Sequence, residues 1–522
     1  MRLLFVTSEA YPLAKSGGLA DVSGALPAAL IRRGIGVRLL LPGYPAALRG
    51  LKNARVEVQL EQFLGVEDAA LISGRLPDSN VPVWLVNAPS LFSRPGGLYQ
   101  DESGRDWGDN AQRFAFLAHV AAKIANGLVG WRPDVVHAND WHAGLLPVLL
   151  SLEQAPVPAT VFTIHNLAYQ GNFPREALSA LAIPDRFFDP NGLEFYGQVS
   201  FLKAAISYSD KLTTVSPTYA KEILTPDFGC GLDGVLRRRA RDLSGILNGI
   251  DDDAWNPAID HHLPRAYSAK DIAGKVICKA ELQRECGLDV DSETPLIGFV
   301  SRLAHQKMAD VLLDAVPAIV ESGAQFVLAG KGDAGLEAAF ERAGERYPQN
   351  TAIRIGYEEA LAHRIQAGAD ILLAPARFEP CGLTHLYALR YGTVPVVRRT
   401  GGLIDTVTDV NAVTLSERTA NGFLFDDPTV PGLLGAVRRA LIAHRQPLIW
   451  RRLQLEGMAQ DFSWNAGAAR YASLYSDVTG IPLSPTLDVP QNKPRGIYGT
   501  IGNVGQHNLM FASVRSRSGV GT

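Results

Sequence analysis

The sequence predicts an α/β protein of two doubly wound, mostly parallel sheets, and three observations lead there. First, short β-rich runs alternate with longer helical patterns: RLLFVTSE, VRLLLP, VPVWLVNA, DVVHAND, ATVFTIHN and KLTTVS, the rhythm of βαβ units. Second, a new series of such runs opens near residue 295 with LIGFVSR and continues through QFVLAG, TAIRIG, ILLAPA and TVPVVRR. Third, the stretch between them, ILNGIDDDAWNPAIDHHLPRAYSAKDIAGK, is rich in Asp, Pro and Asn and has the composition of a linker. The boundary is expected at residue 248, giving a first domain over 1–247 and a second over 248–480.

Bulk properties agree with two ordinary globular domains. A chain of 522 residues exceeds what one hydrophobic core usually supports. With 50 Lys+Arg against 53 Asp+Glu the net charge is -3, so no basic excess is present to hold nucleic acid or an anionic membrane. The opening MRLLFVTSEA has too short an apolar run for a signal peptide, and no stretch reaches the length of a membrane span, so the expected location is the cytoplasm. Cys230, Cys278, Cys286 and Cys381 lack CxxC or Cys/His ligand spacing, which suggests neither a disulfide framework nor a structural zinc site.

Each motif follows a predicted strand. After the first strand comes AYPLAKSGGLADVSGAL, where Gly17 and Gly18 bare the main chain to a ligand, Lys15 supplies a cation and Asp21 falls in the first turn of a helix; a plain turn fits the same glycines. TGGLIDTVT at 400–408 echoes SGGLADVSG at 16–24, as if each domain offered a helix N-terminus to a cleft between them. HANDWHAGL and TIHNLAYQG put His137, His142 and His165 at strand ends, where a core histidine or a cleft residue is expected. In VSRLAHQKMADVLL, Arg302 and Lys307 stand at the C-terminal edge of the second sheet, where they are expected to clamp a pyrophosphate; a solvated basic loop is the alternative, less natural for an Arg directly after an apolar strand. In RFEPCGLTHLYALRYGTVPVVRRTGGL, the run Cys381, Gly382, Leu383 and Thr384 is expected to open a helix whose free N–H groups face phosphate, with Glu379 beside the attached sugar. A helix-terminal charge is the alternative for Glu379. GKGDAG at 330–335 has dinucleotide-fingerprint spacing, but no suitably placed ribose-binding acid follows, so nicotinamide or flavin binding is not expected.

Taken in order, AKSGGLADVSGALPAAL, HANDWHAGL, FTIHNLAYQG, LNGID, VSRLAHQK, RFEPCGLTHLYALRYGTVPVVRRTGGL and NGFLF resemble the bacterial glycogen synthases and plant starch synthases over residues 1–480. The resemblance implies the GT-B fold, two Rossmann-like domains across a deep cleft, and transfer of glucose from ADP-glucose to the non-reducing end of an α-1,4-glucan, with retention and without a metal or other cofactor. It implies that Lys15 and the Gly17–Gly18 loop contact the nucleotide sugar, that Arg302 and Lys307 hold the distal phosphates and that Glu379 anchors the sugar. His165 is implied to lie by the transferred glucose with Asp140 and Asn248 near it, Tyr357 by the adenine and Tyr99 in the cleft. The helix after DFSW, about 465–480, is implied to pack back on the first domain. Two departures stand out: Tyr387 takes the place of a second Glu found in many retaining GT-B enzymes, as is usual for glycogen synthases, and Met308 replaces the glycine expected after Lys307. UDP-glucose as donor, another acceptor, and a silent glucan-binding protein are the rival readings. The tail, 485–522, matches nothing in the family pattern, and its composition predicts disorder.

Overall fold

The computed structural model describes residues 1–154 and 156–483, so the tail lies outside the described residues. Two sheets organise the chain. In the first, the strands stand side by side in the order Leu243–Gly245, Lys211–Thr214, Ala159–Ile164, Val135–Asn139, Arg2–Val6, Gly36–Pro42, Pro82–Asn87, Ala69–Arg75, Lys52–Leu60. All neighbours are parallel down to Pro82–Asn87; the last two strands are antiparallel. In the second the order is Thr351–Ile355, Gln325–Gly330, Leu296–Val300, Ile371–Ala374, Val394–Arg398, Phe423–Phe425, parallel throughout.

Burial explains which strands were readable. Leu3, Leu4, Phe5 and Val6 are fully buried, as a parallel strand covered on both faces requires. By contrast KNARVEVQL is exposed over most of its length and forms the antiparallel edge, where charge discourages further pairing. It is not among the sequence-based expectations: its apolar residues, Ala54, Val56, Val58 and Leu60, alternate with polar ones and form no continuous apolar run.

Residues 246–273 carry little regular structure, yet they are packed rather than slack. Trp255 stacks on His363 and on Tyr387, ring centroids 3.8 Å apart in both cases, and the Tyr267 hydroxyl donates to the Tyr391 carbonyl at 2.7 Å. Tyr387, at the position of the missing second Glu, is therefore a buried packing residue. The final helix, Trp464–Thr479, lies on the first lobe: Trp464, Ala468, Tyr471 and Tyr475 join its core, and the Tyr475 hydroxyl meets His137 Nδ1 at 2.7 Å. The glycines of GKGDAG serve packing: a Cβ on Gly330 or Gly332 would stand 2.2 Å from the Ser301 or Leu303 carbonyl oxygen, and the Gly332 N–H is taken by Glu337 at 2.6 Å. Among the described residues no helix is long and apolar enough to cross a membrane.

Candidate active site

Open parallel sheets present loops at the carboxyl ends of their strands, and these loops form the cleft. Leu296–Val300 runs into Arg302 and Lys307, and Ile371–Ala374 into Glu379. Lys307 Nζ is ion-paired with Glu379 Oε2, over a small pocket that Ser301, Gly382, Thr384 and His385 also line. Arg302 is exposed and reaches across the cleft, its Nη1 donating to the Tyr169 hydroxyl of the first lobe at 3.0 Å. Met308 has φ 51° and ψ 33°, the left-handed region that the expected glycine adopts freely. Its side chain is fully buried in the second core.

The loop after Glu379 needs one correction. The helix begins only at Thr384; Cys381, Gly382 and Leu383 form a turn before it, with Gly382 at φ 77°. Cys381 is buried, and burial pushes its thiol up to about 12. The idea of two open helix ends also fails in detail. Gly401 N–H donates to Glu222 Oε1 at 2.9 Å and Gly402 N–H to the Glu379 carbonyl at 3.0 Å, so the second Gly-Gly turn is already satisfied by protein.

On the first lobe the turn before the helix Gly18–Arg32 is held by Glu9, which the sequence reading missed. Its Oε2 accepts the Gly17 N–H at 3.2 Å and the Ser16 N–H; its Oε1 accepts the Tyr99 hydroxyl at 2.9 Å. A carboxylate placed between an apolar strand and a Gly-Gly turn was the signal available. Lys15 Nζ sits 2.9 Å from Asp21 and 3.5 Å from Glu359 of the second lobe. Burial lowers the pKa of Lys15, but Asp21, Tyr357 and Glu359 raise it more, so it stays a cation. The exposed Tyr357 donates its hydroxyl to the same Glu359. Glu359 is pushed up by burial and pulled down further by His363, Lys15 and Tyr357, to about 2. Neither Glu359 nor His363 was anticipated.

Asp140 has φ 54° and ψ 179°, a conformation costly for any residue but glycine, on the order of 1–3 kcal/mol. Its carboxylate accepts the His165 N–H at 2.8 Å, which fixes the adjoining loop, and burial raises it to about 7. His165 Nε2 lies 3.0 Å from Asn139 Oδ1, and burial lowers its pKa to about 3, keeping the ring neutral. Asn248 is buried with Oδ1 unpartnered, and the buried His142, stacked 4.4 Å from Tyr99, has both ring nitrogens unpartnered. His137 is instead a core residue, held by Tyr475 and by Thr163 at 2.6 Å. The two lobes approach closely: a Cβ on Gly18 would touch Leu383 at 3.4 Å. One metal-like grouping occurs among the described residues, Asp260, His261 and His262, but Asp260 Oδ2 already receives His363 and Tyr391.

Comparison with known proteins identifies the family and the fold. Residues 2–238 match the starch synthase catalytic domain family and residues 294–441 the glycosyl transferases group 1 family. The glycogen synthase of Paramagnetospirillum magneticum is 52% identical over 485 residues, 92% of this chain and 98% of that protein. That of Burkholderia thailandensis is 50% identical over 481 residues, 91% of this chain and 90% of its own length. The catalytic domain of starch synthase IV from Arabidopsis thaliana, solved bound to ADP and acarbose, superimposes with a TM-score of 0.86 at 32% identity, covering 92% of this chain and 99% of that one. The chain belongs to the glycogen synthase and starch synthase family of GT-B glycosyltransferases.

Proposed function

We propose that the protein transfers glucose from ADP-glucose to the non-reducing end of an α-1,4-glucan in the cytoplasm, retaining the anomeric configuration and releasing ADP. The observation that carries this reading is the Lys307–Glu379 pair at the edge of the second sheet, in a cleft whose other wall bears His165 and Asp140. Departure of the diphosphate leaves positive charge on the sugar and negative charge on the leaving oxygen. Lys307 and Arg302 meet the negative charge without calling on a metal ion, and Glu379, freed from Lys307 as phosphate takes its place, anchors sugar hydroxyls. The neutral His165 accepts or donates a hydrogen bond at the transferred glucose without adding charge that would oppose an oxocarbenium-like centre. Lys15 and the bare Gly17–Gly18 backbone face the same ligand from the first lobe, and Tyr357 stands on the base side.

The test is ADP release from ADP-glucose with and without glycogen, with UDP-glucose in parallel. Glycogen-dependent release that favours ADP-glucose supports the reading. Preference for UDP-glucose moves the donor, and absence of release with either nucleotide overturns the transferase assignment of this site.

A further inference from the structure

Between the two halves of the site lies the short helix Pro217–Glu222, which belongs to the first lobe and carries none of the residues assigned above. Its side chains bond to loops on both sides of the cleft. Ser216, fully buried, donates through Oγ to the Pro380 carbonyl at 2.6 Å, one residue beyond Glu379. The same Oγ accepts the Tyr219 N–H at 3.2 Å, so one hydroxyl caps the helix and ties it to the donor loop. Tyr219, also buried, accepts the Leu167 N–H on its hydroxyl at 3.1 Å, two residues beyond His165. At the helix's other end Glu222 takes Gly401 N–H at 2.9 Å and the Thr400 hydroxyl at 3.3 Å. Gly402 in turn holds the Glu379 carbonyl. Thr218 adds two bonds to Asp405, from its N–H at 2.9 Å and its hydroxyl at 2.7 Å.

The carbonyl groups of Glu379 and Pro380 are thus both fixed with reference to this helix, and so is the His165 loop. We infer that Ser216, Tyr219 and Glu222 are positioning residues of the transferase: the helix they belong to is a bracket that sets the spacing between the sugar-anchoring Glu379 loop and the His165 loop when the lobes are together. This rests on the transferase reading of the site. None of the three touches a reacting atom. Their action is through backbone placement, and a displacement of about 1 Å between reacting groups is enough to cost on the order of a hundredfold in rate. A misregistered site also lets water compete for the glucosyl group: the bond from the anomeric carbon to the diphosphate oxygen breaks as before, but water supplies the new oxygen, giving free glucose and ADP.

The experiment compares the wild type with Ser216→Ala, Ser216→Thr, Tyr219→Phe, Glu222→Ala and Glu222→Gln in the full chain. The Ser216→Ala, Tyr219→Phe and Glu222→Ala variants are each expected to lose about tenfold to a hundredfold in kcat, with KM for ADP-glucose within about threefold of wild type. The ratio of free glucose to ADP released should rise in all three. Ser216→Thr keeps the hydroxyl and Glu222→Gln keeps the acceptor, so both should retain kcat within about threefold. Wild-type kcat in the three truncating variants overturns the bracket; so does a loss that the conservative pair share and that follows falling thermal stability. Hydrogen exchange needs no donor and therefore reads the bracket even if the wild type rejects ADP-glucose. Faster exchange in both 165–169 and 379–384 of Ser216→Ala and Tyr219→Phe supports it, and wild-type exchange in both segments overturns it. A wild type inactive with ADP-glucose but active with UDP-glucose counts instead against the donor reading.

Discussion

Residues 16–24, SGGLADVSG, and residues 400–408, TGGLIDTVT, each turn a strand-end loop into a helix, but the space around their glycines differs. At Gly17 an added Cβ would meet nothing within 4 Å, and at Gly18 only the end of Leu383 at 3.4 Å. At Gly401 it would stand 1.9 Å from the Glu379 carbonyl oxygen, with φ already at 46°; at Gly402 it would stand 2.5 Å from Cys381 backbone. Fold requirements account for the second pair of glycines completely. They do not account for the first, where space is left open beside the main chain, and the proposed function fills that space with ligand. Similar segments of sequence thus form a closed structural joint in one lobe and an open backbone turn in the other, the turn to which the proposed function assigns ligand binding.

The largest test of that contrast is Gly401→Ala. Strain at positive φ adds to a backbone clash that no side-chain rotation relieves, so destabilisation beyond about 4 kcal/mol is expected. Thermal unfolding should show a Tm lower by about 10 °C or more, or no soluble protein; a Tm near that of the wild type would show that the joint is not rigid. Next is Glu379→Ala, which separates the two roles of one residue. Its carbonyl still receives Gly402 N–H, so the fold is kept, while loss of the carboxylate should lower kcat by about 10²–10³-fold. Steady-state kinetics at matched Tm decide it, and unchanged turnover would remove Glu379 from the sugar site. Smaller again is Gly18→Ala. Its Tm should stay within about 2 °C of wild type, while kcat/KM for the donor falls about tenfold because the methyl occupies ligand space. A fall in Tm with intact kcat/KM would reverse the comparison and make the first loop the structural one.

Legibility in the sequence followed distance along the chain. Arg302, Lys307, Glu379 and His165 could be picked out because each stands just beyond an apolar strand, and a parallel sheet delivers such residues to one edge whatever else the chain does. Glu359 could not: its partner Lys15 is 344 residues away, and no local spacing records a contact made only when two lobes meet. The same holds for Ser216 and Glu222, whose partners Pro380 and Gly401 lie 164 and 179 residues away. The antiparallel edge went unread although Ala54, Val56, Val58 and Leu60 alternate with polar residues, because Lys52–Leu60 buries little beyond Leu60 and lacks the continuous apolar run that marks the parallel strands. Met308 lies between these cases. The family pattern expects a glycine there, and the structure holds the buried methionine in the left-handed conformation that a glycine adopts freely.

The smallest effect concerns how the first loop is tethered across the cleft. Lys15 reaches Glu359 Oε2, and Glu359 Oε1 lies 3.8 Å from His363 Nε2, whose Nδ1 is 2.7 Å from Asp260. Burial lowers the pKa of His363, but Asp260 and Glu359 together raise it above its ordinary 6.5. The folded protein therefore holds this proton more tightly than the unfolded chain does. The resulting stability is complete below pH 6.5 and is lost as pH rises through the raised value. His363→Gln removes the titrating group while leaving a donor for Asp260. Across the window just above pH 6.5 the Tm of this variant should fall less steeply than that of the wild type, by a few degrees in total. The double variant Lys15→Ala/His363→Gln sharpens the point. If the two residues act on one tether through Glu359, their combined cost in Tm will be less than the sum of the single costs, because either change alone already loosens it. Strict additivity would mean that His363 stabilises only Asp260 and the packed segment around Trp255, and that the first loop meets the second lobe through Lys15 alone.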